Sequence, residues 1–315
     1  MLKLLIQRSE IGAGTRGSSL GADALKMAAI NKQSRFFKDY PIEIVADRNE
    51  LLMVDNVYPN AIRIDGIHDV YSAQCQSVSN VLINGHFPFV ISADHASAGG
   101  TIAGLANAFP DKRIGVIWVD AHADLHSPYT TPSGNVHGMP LAYALGEENM
   151  ERQINTPTDG TLEHWTKMKE LGGRVEKIQP SDLVFIGVRD TEEPEEHLMK
   201  TLDILNIEVS EVRESGAEAS ATKAINHLSH CDLIYVSFDV DSMDPDMVSY
   251  GTGTPVKNGL LPEEAKEIIH LLVQDSRLAC FEVVEVNPLL DNKGNAMAEA
   301  TLDIIESAAQ IIASK

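Results

Sequence analysis

The chain alternates between short, continuous apolar runs and longer segments with helical spacing of apolar residues. The runs are rich in β-branched residues and lack polar alternation, which is typical of strands buried on both faces of a sheet. They cover residues 2–6, 42–46, 87–92, 114–119, 183–188, 206–210, 233–238 and 281–286.

The segments between these runs contain good helix formers and predict helices. They cover residues 21–29, 74–82, 98–108, 137–145, 162–171, 195–205, 217–228, 262–273 and 296–313. Alternating strands and helices predict a three-layer α/β/α fold around a mostly parallel, roughly eight-stranded sheet. No repeat or Pro/Ser-rich linker interrupts the pattern, so we expect one domain over residues 1–315, with a surface loop at 146–160.

The net charge of the chain restricts the kinds of molecule that it is expected to bind. The chain has 46 Asp and Glu against 25 Lys and Arg, a net charge of -21. This field repels nucleic acid and anionic membranes and attracts small cations. No apolar run approaches the roughly 20 residues of a membrane span, and we expect a cytoplasmic protein. Cys75, Cys231 and Cys280 show no paired spacing and are predicted to be packing residues.

Acids and histidines follow several of the predicted strands. The carboxyl ends of parallel strands share one edge of a sheet, where ligands bind. An extended backbone also sends residues i, i+2 and i+4 to the same side, so these side chains are expected to converge. They are Asp94 and His95 after 87–92, Asp120, His122 and Asp124 after 114–119, Asp239, Asp241 and Asp244 after 233–238, and Glu285 after 281–284.

Carboxylates gathered in this way would repel one another and take up protons unless cations neutralised them. An oxygen-rich set without thiolate favours two Mn²⁺, or other divalent ions such as Co²⁺ or Fe²⁺, over a structural zinc. Two such ions lower the pKa of a bridging water, so the predicted chemistry is hydrolysis. The alternative is that Asp120 and Asp239 only cap the turns after their strands, but the number of acids and imidazoles at this spacing argues against capping alone.

Two segments carry a family resemblance: DAHADLHSPYTTPSGNVHGMP at 120–140 and SFDVDSMDP at 237–245. Both resemble the central signatures of the ureohydrolases, and of the arginases among them. Weaker similarities extend from residue 12 to residue 288. The resemblance implies a binuclear manganese centre in an α/β fold, a metal-bridging hydroxide that cleaves L-arginine to urea and L-ornithine, and a homo-oligomeric trimer or hexamer.

The resemblance also assigns roles to individual residues. Asp124 is expected to accept a hydrogen bond from the hydroxide, and Glu285 to pair with the substrate guanidinium. His137 matches a proton shuttle or general acid, a role suited to an imidazole of pKa about 6.5. The implied metal ligands are His95, Asp120, His122, Asp124, Asp239 and Asp241.

Substrate contacts follow from the same comparison. Ser133 and Asn135 match residues that bind the α-carboxylate of the amino acid, which favours arginine over agmatine, although Ser, Gly and Asn are also ordinary turn residues. Thr254 matches the threonine of a GTP turn, and turn formation alone could explain it.

The chain departs from the arginase pattern in three places. His126 stands where arginases usually carry an asparagine near the substrate carboxylate. SADHA at 92–96 replaces GGDHS. RDTEEPEEH at 189–197 has one extra residue, so that Glu192 or Glu193 is expected to hold the substrate amino group, and Glu196 matches a further family glutamate. Each of these glutamates could instead be a helix N-terminal acid.

Other functions stay open at this point. They are another ureohydrolase, acting on agmatine, guanidinobutyrate or formiminoglutamate, and a non-catalytic, metal-stabilised homologue. A deacetylase of related fold is less compatible, since its single zinc does not require the doubled carboxylate set.

Overall fold

Eight parallel strands form the central sheet of the computed structural model, which describes residues 1–315. Their order across the sheet is β2-β1-β3-β8-β7-β4-β5-β6, and every neighbouring pair is parallel. The predicted fold class is confirmed. The strands are β1 Leu2–Gln7, β2 Ile42–Val45, β3 Phe87–Ser92, β4 Ile114–Val119, β5 Leu183–Ile186, β6 Leu205–Ile207, β7 Leu233–Asp239 and β8 Leu278–Val284.

Helices cover both faces of this sheet. Even α3 and α11, the longest, are not apolar enough over their length to cross a bilayer. The helices are α1 Gly21–Asn31, α2 Phe36–Asp39, α3 Ile64–Ile83, α4 Ala98–Ala108, α5 Pro140–Leu145, α6 Asp159–Glu170, α7 Glu193–Thr201, α8 Val209–Ser215, α9 Ala217–His227, α10 Pro262–Leu272 and α11 Ala296–Ala313.

Two apolar cores lie on opposite faces of the sheet. Ile117 and Val119 of β4 pack into one core with α1, α9, α10 and α11, whereas Val116 and Trp118 pack into the other with α3 to α6. Successive strand residues point to opposite faces, so a strand covered on both sides must be apolar throughout. The continuous runs in the sequence have this origin.

Several predicted boundaries were wrong. The predicted strand 206–210 ends at Ile207, and Val209 begins α8. The predicted helix 195–205 ends at Thr201, because Leu205 already pairs with β5. The predicted helix 137–145 begins only at Pro140, whose fixed φ suits the first turn of a helix. The predicted strand 281–286 ends at Val284.

Helices α3 and α4 approach each other closely on the face that carries the second core. A Cβ atom at Gly100 would lie 2.9 Å from the Tyr71 carbonyl oxygen, and one at Gly104 would lie 2.9 Å from the Cys75 carbonyl oxygen. Only glycine permits this backbone approach. Since α4 follows the end of β3 almost directly, the packing helps to fix the loop that carries His95.

Candidate metal centre and active site

The candidate site lies at the carboxyl ends of four neighbouring central strands, β3, β8, β7 and β4. His95 follows β3, Asp120 follows β4, and Asp239 is the last residue of β7. His95 Nδ1 lies 3.0 Å from Asp120 Oδ2, 3.2 Å from Asp124 Oδ2 and 3.1 Å from Asp239 Oδ2. Strand ends distant in sequence therefore place one imidazole nitrogen among three carboxylates.

A second group of ligand atoms adjoins the first. His122 Nδ1 lies 3.1 Å from Asp241 Oδ2 and 3.6 Å from Asp120 Oδ1. Asp120 thus belongs to both groups and directs one oxygen towards each histidine. A carboxylate shared between two groups of ligand atoms is suited to bridging two cations.

The segment after β4 has the alternation that the sequence predicted. Ala121, Ala123 and Leu125 are fully buried in the protein interior. His122, Asp124 and His126 line the cavity on the opposite side. Asp124 has a φ of 50°, a left-handed conformation that is uncommon for a non-glycine residue and often marks a functional site.

Asp120 and Asp239 also cap the turns after their strands, the role that the sequence analysis gave as the alternative to metal binding. Asp120 Oδ1 accepts a hydrogen bond of 2.7 Å from the His122 amide, and Asp239 Oδ1 accepts one of 2.8 Å from the Asp241 amide. In each aspartate the Oδ2 atom is directed towards His95. Asp239 therefore caps with one oxygen and offers the other as a ligand, whereas Asp120 Oδ1 has one lone pair for the His122 amide and a second for the group around His122.

Two buried atoms of this cluster have no hydrogen-bond partner, His95 Nδ1 and Asp120 Oδ2. Buried polar atoms are nearly always satisfied, and lone pairs that converge without bonding each other suit a shared cation. Burial and the charge of Asp241 raise the pKa of Asp239 well above its usual value, and burial and the charge of Asp120 raise that of Asp124. These residues fit a pair of divalent cations, which would relieve this repulsion.

Neighbouring groups orient the ligands. His95 stacks on Trp118 at a centroid distance of 3.9 Å, and its Nε2 atom lies 2.8 Å from Ser237 Oγ. Thr254 Oγ1 donates a hydrogen bond of 3.1 Å to Asp241 Oδ2. Ligand orientation by such contacts is a general requirement of metal sites.

Glu285 and His137 form a second functional pair beside these ligands. Glu285 Oε1 accepts a 2.9 Å hydrogen bond from the His95 amide and lies 3.4 Å from His137 Nδ1. Burial alone would lower the pKa of His137, but its hydrogen bond to Glu285 and the surrounding negative charge raise it. Glu285 leaves β8 with a φ of 68°, which turns its side chain out of the strand pattern and into the cavity.

The cavity above the candidate ligands has a volume of about 410 Å³, within the usual range for small-molecule sites. It brings together the six predicted ligands, both predicted catalytic partners and five predicted substrate contacts. These contacts are His126, Ser133, Asn135, Glu192 and Thr254. Glu193 and Glu196 are exposed outside the cavity, and Glu193 pairs with Arg152 instead. We therefore leave both out of the substrate site.

Sequence reasoning missed Glu195 and Asp190, which also line the cavity. Glu192 is the N-cap of α7 and Glu195 is its third residue, so their side chains fold back reciprocally over the helix start. Pro194 signals a helix start at this point and could have revealed the pair from sequence. Of this acidic segment, Glu192 and Glu195 therefore line the cavity, and Glu196 does not.

His126 is held by these two glutamates. Its Nε2 atom lies 3.0 Å from Glu192 Oε2 and 3.5 Å from Glu195 Oε2, and its Nδ1 atom lies 3.2 Å from Thr130 Oγ1. The hydrogen bond to His126 lowers the pKa of Glu192 to about 2, whereas burial raises that of Glu195 to about 8.

Comparisons with known proteins identify one family over nearly the whole chain. Residues 6–310 match the Arginase family. The arginase of Bacillus subtilis (strain 168) is 31% identical over 95% of this chain and 94% of its own length, and that of Brevibacillus brevis is 32% identical over 95% and 94%. The crystal structure of Bacillus caldovelox arginase matches with a TM-score of 0.81, at 29% identity over 98% of both chains. The chain belongs to the arginase family of ureohydrolases.

Proposed function

We propose that this protein is a binuclear manganese hydrolase that cleaves the guanidinium group of L-arginine to L-ornithine and urea. The observation that carries the proposal is the convergence of six candidate ligands into two groups that share Asp120. The family shows the class of enzyme, and the names of the most similar relatives favour arginine.

When bound, the two cations would supply hydroxide near neutral pH by lowering the pKa of a shared water. Glu285 pairs with the guanidinium group, a planar cation that a carboxylate binds through two hydrogen bonds. Asp124 accepts a hydrogen bond from the nucleophile and orients it. Addition of hydroxide to the guanidinium carbon forms a C–O bond. The C–N bond to the ornithine nitrogen then breaks, its electron pair stays on that nitrogen, and the nitrogen takes up a proton. Loss of the hydroxyl proton from the remaining fragment gives urea.

His137 is positioned to provide that proton. Its ring lies against Glu285, the proposed guanidinium partner, and the raised pKa keeps more of it protonated near neutral pH. Ser133 and Asn135 line the same cavity and are proposed to bind the α-carboxylate. Glu192 and Thr254 complete the proposed set of residues that hold the substrate. Glu192 is proposed to lie near the substrate amino group. Thr254 acts indirectly, through its hydrogen bond to Asp241.

The test is urea release from L-arginine after reconstitution with Mn²⁺. We expect turnover that a chelator abolishes and added Mn²⁺ restores. Asp239→Asn should lower metal content and activity together, by at least about 100-fold, since loss of a ligand exceeds the effect of losing its supporting partner. Asp246→Asn, at an exposed acid paired with Lys257, should retain both. Metal-loaded protein that releases no urea would refute the assignment.

One observation favours a second candidate function, the hydrolysis of a guanidino amine such as agmatine. Both ring nitrogens of His126 already have protein partners, so this side chain is not free to donate to a carboxylate. Asp190 and Glu192 would instead attract a second cationic group. Comparing turnover of arginine with that of agmatine, guanidinobutyrate and formiminoglutamate decides between the two.

A further inference from the structure

Below His95, three adjacent strands carry polar side chains inside an otherwise apolar layer. Ser92 ends β3, Glu282 lies within β8, and Tyr235 and Ser237 lie within β7. Glu282, Tyr235 and Ser237 have no exposed surface, and Ser92 is 5% exposed. Burying a carboxylate in such a layer is costly unless its oxygens are well satisfied, so the arrangement requires an explanation.

Glu282 receives a hydroxyl on each oxygen. Tyr235 Oη donates a hydrogen bond of 2.7 Å to Oε2, and Ser92 Oγ donates one of 2.5 Å to Oε1. Glu282 is also directly opposite Ser237 in the β7–β8 register. The buried carboxylate thus connects β3, β8 and β7 at the level just below the candidate metal centre.

Polar side chains of β7 and β8 lie between Glu282 and His95. The Tyr235 hydroxyl donates its hydrogen to Glu282, and Ser237, two residues further along β7, lies on the same face of that strand as Tyr235. Ser237 Oγ in turn lies 2.8 Å from His95 Nε2. His95 Nε2–H can donate to Ser237 while Tyr235 donates to Glu282, and the Glu282 carboxylate faces Ser237 across the β7–β8 pair.

We propose that Glu282 is a positioning residue for the cation beside His95, acting through the Ser237 hydroxyl that it faces, while Tyr235 holds its carboxylate. The negative carboxylate favours the orientation in which the Ser237 oxygen accepts from His95, and this keeps the proton of His95 on Nε2. The lone pair of Nδ1 is then directed towards Asp120, and the imidazole becomes a more basic ligand. The inference rests on the proposed two-cation centre and not on the choice of substrate.

The two candidate histidine ligands differ in the partners of their Nε2 atoms. His122 Nε2 has only Asp190 nearby, at 3.6 Å, and the Asp190 side chain is 64% exposed. Loss of the Glu282 contacts should therefore affect one cation and not the other. The same contacts explain one departure in SADHA, since Ser92, in place of the usual glycine, provides a donor for Glu282.

The test is Mn²⁺ binding to Glu282→Gln and Tyr235→Phe, compared with the unaltered protein. Equilibrium dialysis gives the two dissociation constants, and electron paramagnetic resonance distinguishes paired from single Mn²⁺. We expect each variant to lose about 10- to 100-fold in affinity at one site, with the other unchanged, and to show single Mn²⁺ at limiting metal. Glutamine keeps the shape of Glu282; if that variant does not fold, Tyr235→Phe, which leaves the carboxylate in place, decides the question.

Ser92→Ala is the matched control for a purely structural role. It removes the hydrogen bond between β3 and β8 but leaves the contacts of Glu282 with Tyr235 and of Ser237 with His95 intact. We expect a lower melting temperature with both Mn²⁺ constants retained. Equal weakening of both sites in Glu282→Gln and Tyr235→Phe, or no weakening at all, would overturn the proposal. None of these measurements depends on urea release. The result can therefore be interpreted even if the arginase assignment fails.

Discussion

At the residue scale, His126 differs most from its sequence-based interpretation. Resemblance predicted a substrate contact, whereas the structure places the ring between Thr130 and two glutamates. Those glutamates lie more than 60 residues further along the chain, at the start of α7. Position 126 could be selected from sequence, but its partners depended on how α7 packs over the segment after β4.

The contact between His126 and Glu192 predicts that the stability of the protein depends on pH. The pKa of Glu192 is lowered to about 2, so its contribution is present above its unfolded pKa of about 4.3 and is lost as pH falls towards 2. Burial lowers the pKa of His126, but its hydrogen bond to Glu192 raises it overall, so its contribution is present below about 6.5 and is lost as pH rises through the raised value. Both contributions coexist from about pH 4.5 to 6.5.

His126→Asn, which restores the residue usual in arginases, should therefore destabilise the protein most in that window. We expect at most about 1 kcal/mol, because the Glu192 side chain is 55% exposed and solvent screens the pair. Chemical denaturation of metal-free protein from pH 4 to 9 measures the difference. His197→Asn, which breaks a contact with exposed Glu151, should have a smaller effect at each pH. A difference that grows above pH 7 would contradict this account.

At the element scale, the active-site geometry depends on how closely α4 packs against α3. The closest approach occurs at Gly100 and Gly104, where side chains would meet carbonyl oxygens of α3. Glycine spacing along α4 is visible in the sequence, but the facing carbonyls are not, since they belong to another helix. The predicted α3 was also ten residues too short at its N-terminal end.

Gly104→Ala should force α3 and α4 apart. Overpacking of this kind costs about 1 to 3 kcal/mol, and we expect a corresponding loss in free energy of unfolding with weaker Mn²⁺ binding near His95. Denaturant titration and metal analysis give both quantities. Gly160→Ala in the first turn of α6, where the added methyl meets only side-chain atoms of Tyr58 and Thr158, should cost less. Equal losses in both variants would show that the interhelical approach is not limiting.

At the scale of the whole molecule, the chain has a net charge of -21, and several of its acids line the cavity. A field of this sign attracts a cationic substrate and weakens as salt screens it. We expect kcat/KM for arginine to fall by roughly twofold or more between low and physiological ionic strength, mostly through KM. Initial rates in NaCl, with ionic strength also varied by a second salt, test this. A salt-independent kcat/KM would exclude long-range attraction.

The sequence by itself determined what depends on local order. Continuous apolar runs predicted strands buried on both faces, and residues at i and i+2 after those strands predicted the side chains that converge at one sheet edge. Both inferences hold because side-chain direction alternates along extended backbone and because parallel strands end at one edge.

Tertiary structure decided the contacts between residues far apart along the chain. Glu195 rather than Glu196 enters the cavity because the first turn of α7 directs it there, and Ser92 meets Glu282 because β3 and β8 are neighbours in the sheet. No local pattern contains these pairings. They arise from the order of the strands and from how the helices pack against the sheet. The free energy of the whole packed core selects this arrangement.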